Sequence, residues 1–140
     1  MPKRSAEAIW TGPRDGAGVV RLGSGLADLK YTWTTRFEEE PGSNPEELLA
    51  GSLAACFAMA LASRLTRNEA PPKSLHATAE TTIEKVDGDW TVTGINLRLR
   101  GDVPGLSASQ FAEHAQAAKE GCPISRALRA VPITLSIEGA

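Results

Sequence analysis

The chain has 140 residues, 41% apolar content and a formal net charge of −2, which predicts one globular domain over residues 1–140. Its 15 basic residues are scattered, so no basic patch for nucleic acid or an anionic membrane surface is present. The first residues lack the apolar core of a secretory signal, and the longest uncharged run, residues 48–63, is shorter than the roughly 20 residues that cross a bilayer. We therefore expect a cytoplasmic protein without nucleic-acid or membrane partners.

Short strands are predicted in the first 40 residues, where apolar and β-branched residues lie between turn residues. They cover residues 6–11, 17–22 and 31–37. The glycines between them form neither a Gly-x-Gly-x-x-Gly fingerprint nor a phosphate loop followed by Lys-Ser or Lys-Thr. These glycines are therefore predicted to serve turns and not a nucleotide.

A long helix is predicted to begin at Asn44-Pro45-Glu46 and to run to about Arg67. A polar cap residue, proline at the first helical position and acids in the first turn are typical of a helix start. Residues 48–62 are apolar on every face, so this helix has to be covered all round. One chain of this length offers too little structure to cover it, which favours a homodimer.

A β-hairpin is predicted after the next loop. Small and apolar residues alternate over residues 77–83, and an Asp-Gly pair at 87–88 predicts the turn. On the return strand the apolar residues occupy even positions before Gly94 and odd positions after it. The inward face therefore switches near Gly94, which a β-bulge permits.

The last part of the chain predicts two helices and a strand. Residues 107–110 resemble a capping box and begin a helix that ends at Gly121. Pro123 begins a short helix to about Arg129, and residues 133–137 alternate as a strand. The order of elements predicts an α+β fold, with a mainly antiparallel sheet packed on the long central apolar helix.

Two cysteines, Cys56 and Cys122, are too few for a disulfide-scaffolded secreted domain and are not spaced as Cys-x-x-Cys. In a reducing compartment a pair of thiols indicates transient chemistry more than a static bridge. The alternative is that both are small buried apolar side chains, as free cysteines often are. Count and spacing alone favour that alternative.

Cys56 lies near the middle of the apolar helix, where burial raises the pKa of a thiol and makes it inert. A free thiol is about 3% thiolate at neutral pH, so a neighbouring arginine could increase the thiolate at most about thirtyfold. Positioning of a substrate and stabilisation of the charge on its leaving group would increase the rate of attack further. Cys122 lies at a predicted helix start, where backbone N–H groups favour a thiolate, or else it simply caps that helix before Pro123.

Four sequence blocks follow one another in a defined order over nearly the whole chain. They are Thr35-Arg36-Phe37-Glu38, Gly42-Ser43-Asn44-Pro45-Glu46-Glu47-Leu48-Leu49, Ala54-Ala55-Cys56-Phe57-Ala58-Met59 and Gly121-Cys122-Pro123-Ile124-Ser125. In residues, order and spacing these blocks closely resemble the OsmC/Ohr family of hydroperoxide reductases. Arg36 in an Arg-Phe-Glu context resembles the OsmC branch of that family.

The resemblance implies the roles of four residues. Cys56 would be the peroxidatic cysteine, Cys122 the resolving cysteine, Arg36 the activating cation and Glu46 the carboxylate that orients it. The implied enzyme is a peroxidase of oxidative or osmotic stress defence that reduces organic hydroperoxides to alcohols. It forms a Cys56 sulfenic acid, then a Cys56–Cys122 disulfide, which a small thiol or dithiol reduces. The family's intertwined dimer, with no bound cofactor or metal, is expected here too.

Glu46 raises a geometric question, because ten residues of straight helix separate it from Cys56 by about 15 Å. Either the helix breaks near Gly51, or Arg36 and Glu46 act across a dimer interface, which we favour. The residues alone leave simpler interpretations open. Glu46 could be an acid that only interacts with the dipole at the helix start, and Glu47, the capping-box partner, could be the more important of the two acids. Arg36 could be an exposed strand residue.

His76 and His114 are far apart in sequence and have no Cys or acid at metal-ligand spacing. Both are predicted to be surface residues, and no metal site is expected. A function of another class also stays open at this point. Family membership does not by itself prove catalysis, so the protein could be a dimeric stress or binding protein whose thiols are structural.

Overall fold

The structure, a computed structural model, describes residues 1–138 and divides into two compact units, Met1–Leu48 and the chain from Leu49 onward. The first unit contains a three-stranded antiparallel sheet, a short helix and the first turn of a long helix. Its elements are β1 (Ala6–Thr11), β2 (Ala17–Leu22), β3 (Asp28–Tyr31), α1 (Trp33–Phe37) and the start of α2 (Pro45–Arg67).

The strand predicted over residues 31–37 is wrong, because β3 ends at Tyr31 and α1 follows. Thr32 caps this helix: its hydroxyl accepts a hydrogen bond from the Thr35 N–H at 3.2 Å, and its own N–H donates to the Thr35 hydroxyl at 2.8 Å. This reciprocal capping satisfies two backbone donors locally. It outweighs the strand preference of the β-branched threonines.

The second unit contains the rest of α2, a three-stranded sheet and two further helices. In the sheet, β4 and β5 pair antiparallel, while β5 and β6 pair in parallel. Its other elements are β4 (Ser74–Val86), β5 (Asp89–Asp102), α3 (Ala108–Gly121), α4 (Pro123–Ala127) and β6 (Ile133–Ile137). The predicted α+β fold with mainly antiparallel pairing is confirmed.

The predicted change of face on the return strand is confirmed as a bulge. Thr82 pairs with Gly94, whereas the next residue, Ile83, pairs with Val92. Thr93 is therefore the extra residue on β5. The bulge turns the odd-numbered leucines of β5 towards the core.

The core of the second unit lies between one stripe of α2, the β5 strand and α3. The residues at every fourth position of α2 are fully buried, as the 3.6-residue period requires. They are Leu53, Phe57, Leu61 and Leu65, and they pack with Ile95, Leu97, Leu99, Ala115 and Ala118. Burying each large apolar side chain contributes about 1.5–3 kcal/mol.

The other face of α2 is not covered within one chain, as the sequence predicted for a chain of this length. Ala55 is exposed, and Met59 is 75% exposed. By length and composition α2 could also cross a membrane, but this is weak evidence because core helices of soluble proteins pass the same test. The exposed face of α2 is therefore an apolar surface that a second chain could cover.

Candidate active site

Cys56 and Cys122 are neighbours in the second unit. Cys56 is partly exposed on α2, whereas Cys122 is 1% exposed and joins α3 to α4. The N–H of Cys122 donates to the Ala118 carbonyl at 3.0 Å, and Pro123 begins the next helix. Both cysteines are free thiols, and the Cys122 side chain lies close enough to Cys56 to raise the pKa of the Cys56 thiol.

The two helices that carry these thiols run in opposite directions. Eight residues after Cys56, Arg64 donates from Nε to Nδ1 of His114 at 3.0 Å, and His114 lies eight residues before Cys122. Eight residues are about two helical turns on each helix. The Arg64–His114 contact and the proximity of the two cysteines therefore lie about two turns apart along the same pair of helices.

Burial raises the pKa of the Cys56 thiol, because a thiolate is poorly solvated there. A backbone hydrogen bond with Ile124 acts in the opposite direction, and the hydrogen bond and charge of Cys122 raise the pKa further. The thiolate needed for attack on a peroxide is therefore scarce at neutral pH in this environment. This agrees with the expectation that burial at this position makes the thiol inert.

Ser125 contacts Cys122, which the sequence did not lead us to predict. Its hydroxyl lies 3.0 Å from the Cys122 sulfur, and its N–H donates to that sulfur at 3.3 Å. Ser125 is only 6% exposed. The spacing Cys-Pro-x-Ser could have indicated this contact. It places a hydrogen-bonding side chain three residues after a helix-cap residue, as in a capping box.

Arg36 and Glu46 form an ion pair in the first unit. The Arg36 Nε donates to both carboxylate oxygens of Glu46 at 3.1 Å, and Nη2 donates to Oε1 at 2.7 Å. The Glu46 side chain is 11% exposed, compared with 35% for Arg36. A two-donor fork of this kind fixes the plane of the guanidinium as well as its position.

The chain around this ion pair holds α1 against the start of α2. The Thr35 hydroxyl donates to the Ser43 carbonyl at 2.8 Å, and the Asn44 amide donates to the Thr35 carbonyl at 3.1 Å. Gly42 packs so closely that a Cβ there would lie 2.6 Å from the Thr35 methyl carbon. A side chain at Gly42 would therefore displace α1, which carries Arg36.

The two acids at the start of α2 have different partners. The N–H of Glu47 donates to the Asn44 side chain at 2.8 Å, which caps the helix, and the Glu47 side chain is exposed. Glu46 is the acid that binds Arg36. The helix continues unbroken through Gly51, so the alternative of a break there is wrong.

The histidines do not lie together. His76 is exposed on β4 with Nδ1 2.8 Å from Nη2 of Arg100, and His114 is half-buried against Arg64, so only His76 is the surface residue that was expected. Across residues 1–138, no group of three or more His, Cys, Asp or Glu side chains is placed to hold a metal ion.

Comparisons with a family model, with related sequences and with solved structures all point to one family. The family model for OsmC-like proteins matches residues 37–136. The chain is 41% identical to peroxiredoxin OsmC of Escherichia coli, over 96% of this chain and 95% of that protein. It is 32% identical to the organic hydroperoxide resistance protein OhrA of Bacillus subtilis, over 98% of this chain and 97% of that protein.

Among solved structures, the organic hydroperoxide resistance protein OhrB of Bacillus subtilis superposes with a TM-score of 0.77 at 25% identity, covering 96% of this chain and 98% of the other. OsmC from Legionella pneumophila superposes with a TM-score of 0.74 at 25% identity, covering 96% of this chain and 97% of the other. The identity to an OsmC protein exceeds the identity to OhrA, as the position of Arg36 predicted. The chain belongs to the OsmC family.

Proposed function

We propose that the protein is a thiol-dependent peroxidase that reduces organic hydroperoxides to alcohols in oxidative or osmotic stress defence. The observation that carries this proposal is the adjacent pair of free thiols, one partly exposed and one buried, in a member of the OsmC family. The relatives named peroxiredoxin and organic hydroperoxide resistance protein support the same chemistry.

In the proposed cycle the Cys56 thiolate attacks the peroxide O–O bond. One oxygen leaves with the organic group as an alcohol, and the other stays on Cys56 as a sulfenic acid. The Cys122 thiol condenses with this sulfenic acid, so that a disulfide forms and water leaves. An external small thiol or dithiol then reduces the disulfide and is itself oxidised.

Arg36 is the cation proposed to activate the peroxide and the Cys56 thiolate, with Glu46 as the carboxylate that orients it. The forked ion pair supports these roles, because it holds a guanidinium in a defined plane. The raised pKa of Cys56 supports the need for a cation. No bound cofactor takes part in the proposed cycle, and a cytoplasmic location, where thiol reductants are abundant, suits it.

A homodimer is the assembly proposed for this activity. The exposed apolar face of α2 and the unbroken helix from Glu46 to Cys56 both support it. If Arg36 and Glu46 act across the interface, the partner subunit completes each site. A monomer with full activity at micromolar concentration would contradict the dimer.

We expect Met59→Glu to weaken this dimer by at least about a hundredfold and to lower activity in parallel, because it introduces an unpaired charge into an apolar interface. Sedimentation velocity over a dilution series gives the dissociation constant. Val86→Glu is the matched control, since it makes the same kind of change at a 44% exposed residue near the hairpin turn. Equal behaviour of the two variants would exclude the Met59 face as the interface.

The activity is tested by adding one equivalent of an alkyl hydroperoxide to the reduced protein. We expect the loss of both free thiols, a mass decrease of about 2 Da for two hydrogens, and one equivalent of alcohol. A rival function, a dimeric stress or binding protein with structural thiols, is favoured by the burial of Cys122 and the raised pKa of Cys56. Unchanged thiols and mass would support this rival and exclude the peroxidase.

We expect Cys122→Ser to release one equivalent of alcohol and then to stop, because the Cys56 sulfenic acid lacks its resolving thiol. Mass spectrometry of the dimedone adduct locates the oxidised sulfur. If dimedone labelled Cys122 in the reciprocal Cys56→Ser variant and did not label Cys56 in Cys122→Ser, Cys122 would be the peroxidatic cysteine and Cys56 the resolving one.

A further inference from the structure

The Cys122 sulfur lies in a polar environment that differs from that of its partner. The Ser125 hydroxyl lies 3.0 Å from it, and the Ser125 N–H donates to it at 3.3 Å. The N–H contact caps the short helix α4, which any residue at position 125 except proline could do. The hydroxyl contact requires a hydroxyl side chain at position 125, and helix capping does not explain it.

The two cysteine residues also differ in their exposure within one chain. Cys122 is 1% exposed, whereas Cys56 is partly exposed. A thiol that attacks a disulfide needs to approach one sulfur in line with the bond and expels the other as a thiolate. An external reductant is therefore directed to the Cys56 sulfur, and the Cys122 sulfur is the leaving group.

We propose that the Ser125 hydroxyl stabilises the Cys122 thiolate as it leaves during reduction of the disulfide, and so controls the reductive half of the cycle. This inference rests on the proposed function for the origin of the disulfide. It assigns to Ser125 a role at a reacting atom, the Cys122 sulfur.

The step balances with a dithiol as the reductant. One thiolate of the dithiol attacks the Cys56 sulfur, the Cys56–Cys122 bond breaks, and its electron pair stays on the Cys122 sulfur. A hydrogen bond from the Ser125 hydroxyl stabilises that charge until the sulfur takes up a proton from solvent. The second thiol of the reductant then displaces Cys56, so that the reductant becomes a cyclic disulfide and both cysteines become thiols.

The experiment isolates the reductive step from peroxide chemistry. Disulfide protein is prepared with diamide, and its reduction by dithiothreitol is followed by stopped-flow fluorescence. We expect Ser125→Ala to slow reduction by about three- to tenfold, as loss of a hydrogen bond to a leaving thiolate predicts. Sulfenic acid formation at Cys56 with an alkyl hydroperoxide should stay within about twofold of the unmodified protein, because Ser125 contacts the other sulfur.

Two variants serve as comparisons. Ser125→Thr keeps the hydroxyl and should restore most of the rate of reduction. Ser136→Ala removes an exposed serine from β6 and should reduce at the unmodified rate. An unchanged rate in Ser125→Ala, or equal slowing of its oxidation and reduction, would overturn the inference in favour of a packing role.

A measurement on the unmodified protein does not depend on how well these variants fold. Reaction of the disulfide form with glutathione should place the mixed disulfide on Cys56, which peptide mapping identifies. A glutathione adduct on Cys122, or failure of diamide to form the disulfide, would overturn the inference. Loss of peroxidase activity alone would not overturn it, since neither the reduction of the diamide-formed disulfide nor the reaction with glutathione uses a peroxide.

Discussion

Replacing Cys56 with serine is expected to lower thiol-dependent hydroperoxide turnover by at least about a thousandfold, the scale of loss when a covalent nucleophile is removed. A serine hydroxyl is far less acidic than a thiol and does not form a stable sulfenic acid equivalent. Turnover is measured as consumption of an alkyl hydroperoxide with dithiothreitol as the reductant.

Cys122→Ser is the matched control for this prediction, because it makes the same atomic change at the other sulfur. It should still release one equivalent of alcohol in a single turnover, whereas Cys56→Ser should release none. The fold should persist in Cys56→Ser, since Cys56 lies at the edge of the buried stripe of α2 and the two side chains are similar in size. Stoichiometric alcohol release by Cys56→Ser would disprove its assignment as the peroxidatic cysteine.

Replacing Arg36 with methionine is expected to lower the rate of Cys56 oxidation by about a hundred- to a thousandfold, the usual effect of removing one charge-stabilising donor from a transition state. A further consequence concerns pH. Without the cation, burial keeps the pKa of Cys56 above its ordinary value, so the thiolate is the minor form throughout the neutral range. The rate should then rise about tenfold for each pH unit until the pH reaches that pKa.

The unmodified protein should show a shallower rise over the same range, because a neighbouring guanidinium favours the thiolate. Stopped-flow measurement of sulfenic acid formation from pH 6 to 9 compares the two profiles. Identical profiles in the two proteins would remove Arg36 from the activation of Cys56.

Loss of Arg36 also leaves the carboxylate of Glu46, which is 11% exposed, without its partner, and this could destabilise the fold. The double variant Arg36→Met/Glu46→Gln separates the two effects, since it removes the unpaired charge. Recovery of thermal stability without recovery of activity identifies a chemical role for Arg36. Recovery of both would show that Arg36 acts only by maintaining the structure.

Local signals in the sequence predicted most elements correctly. The start of α2 at Pro45 and the capping box at Ser107 were predicted because each depends on side chains within four residues of the helix start. The bulge at Thr93 was predicted from a change in parity of apolar residues along one strand. The helix α1 was missed because its capping residues, Thr32 and Thr35, are β-branched and suit a strand equally well.

The sequence by itself determined the family, the α+β class and the identities of the candidate residues, because these depend on residue types, their order and their spacing. Only the tertiary structure decided which groups meet. Cys56 and Cys122 are 66 positions apart and become neighbours because α2 and α3 pack in opposite directions. The choice of Glu46 over Glu47, the contact of Ser125 with Cys122 and the raised pKa of Cys56 likewise depend on packing. Hydrogen-bond partners and solvation are set by packing, which no local pattern encodes.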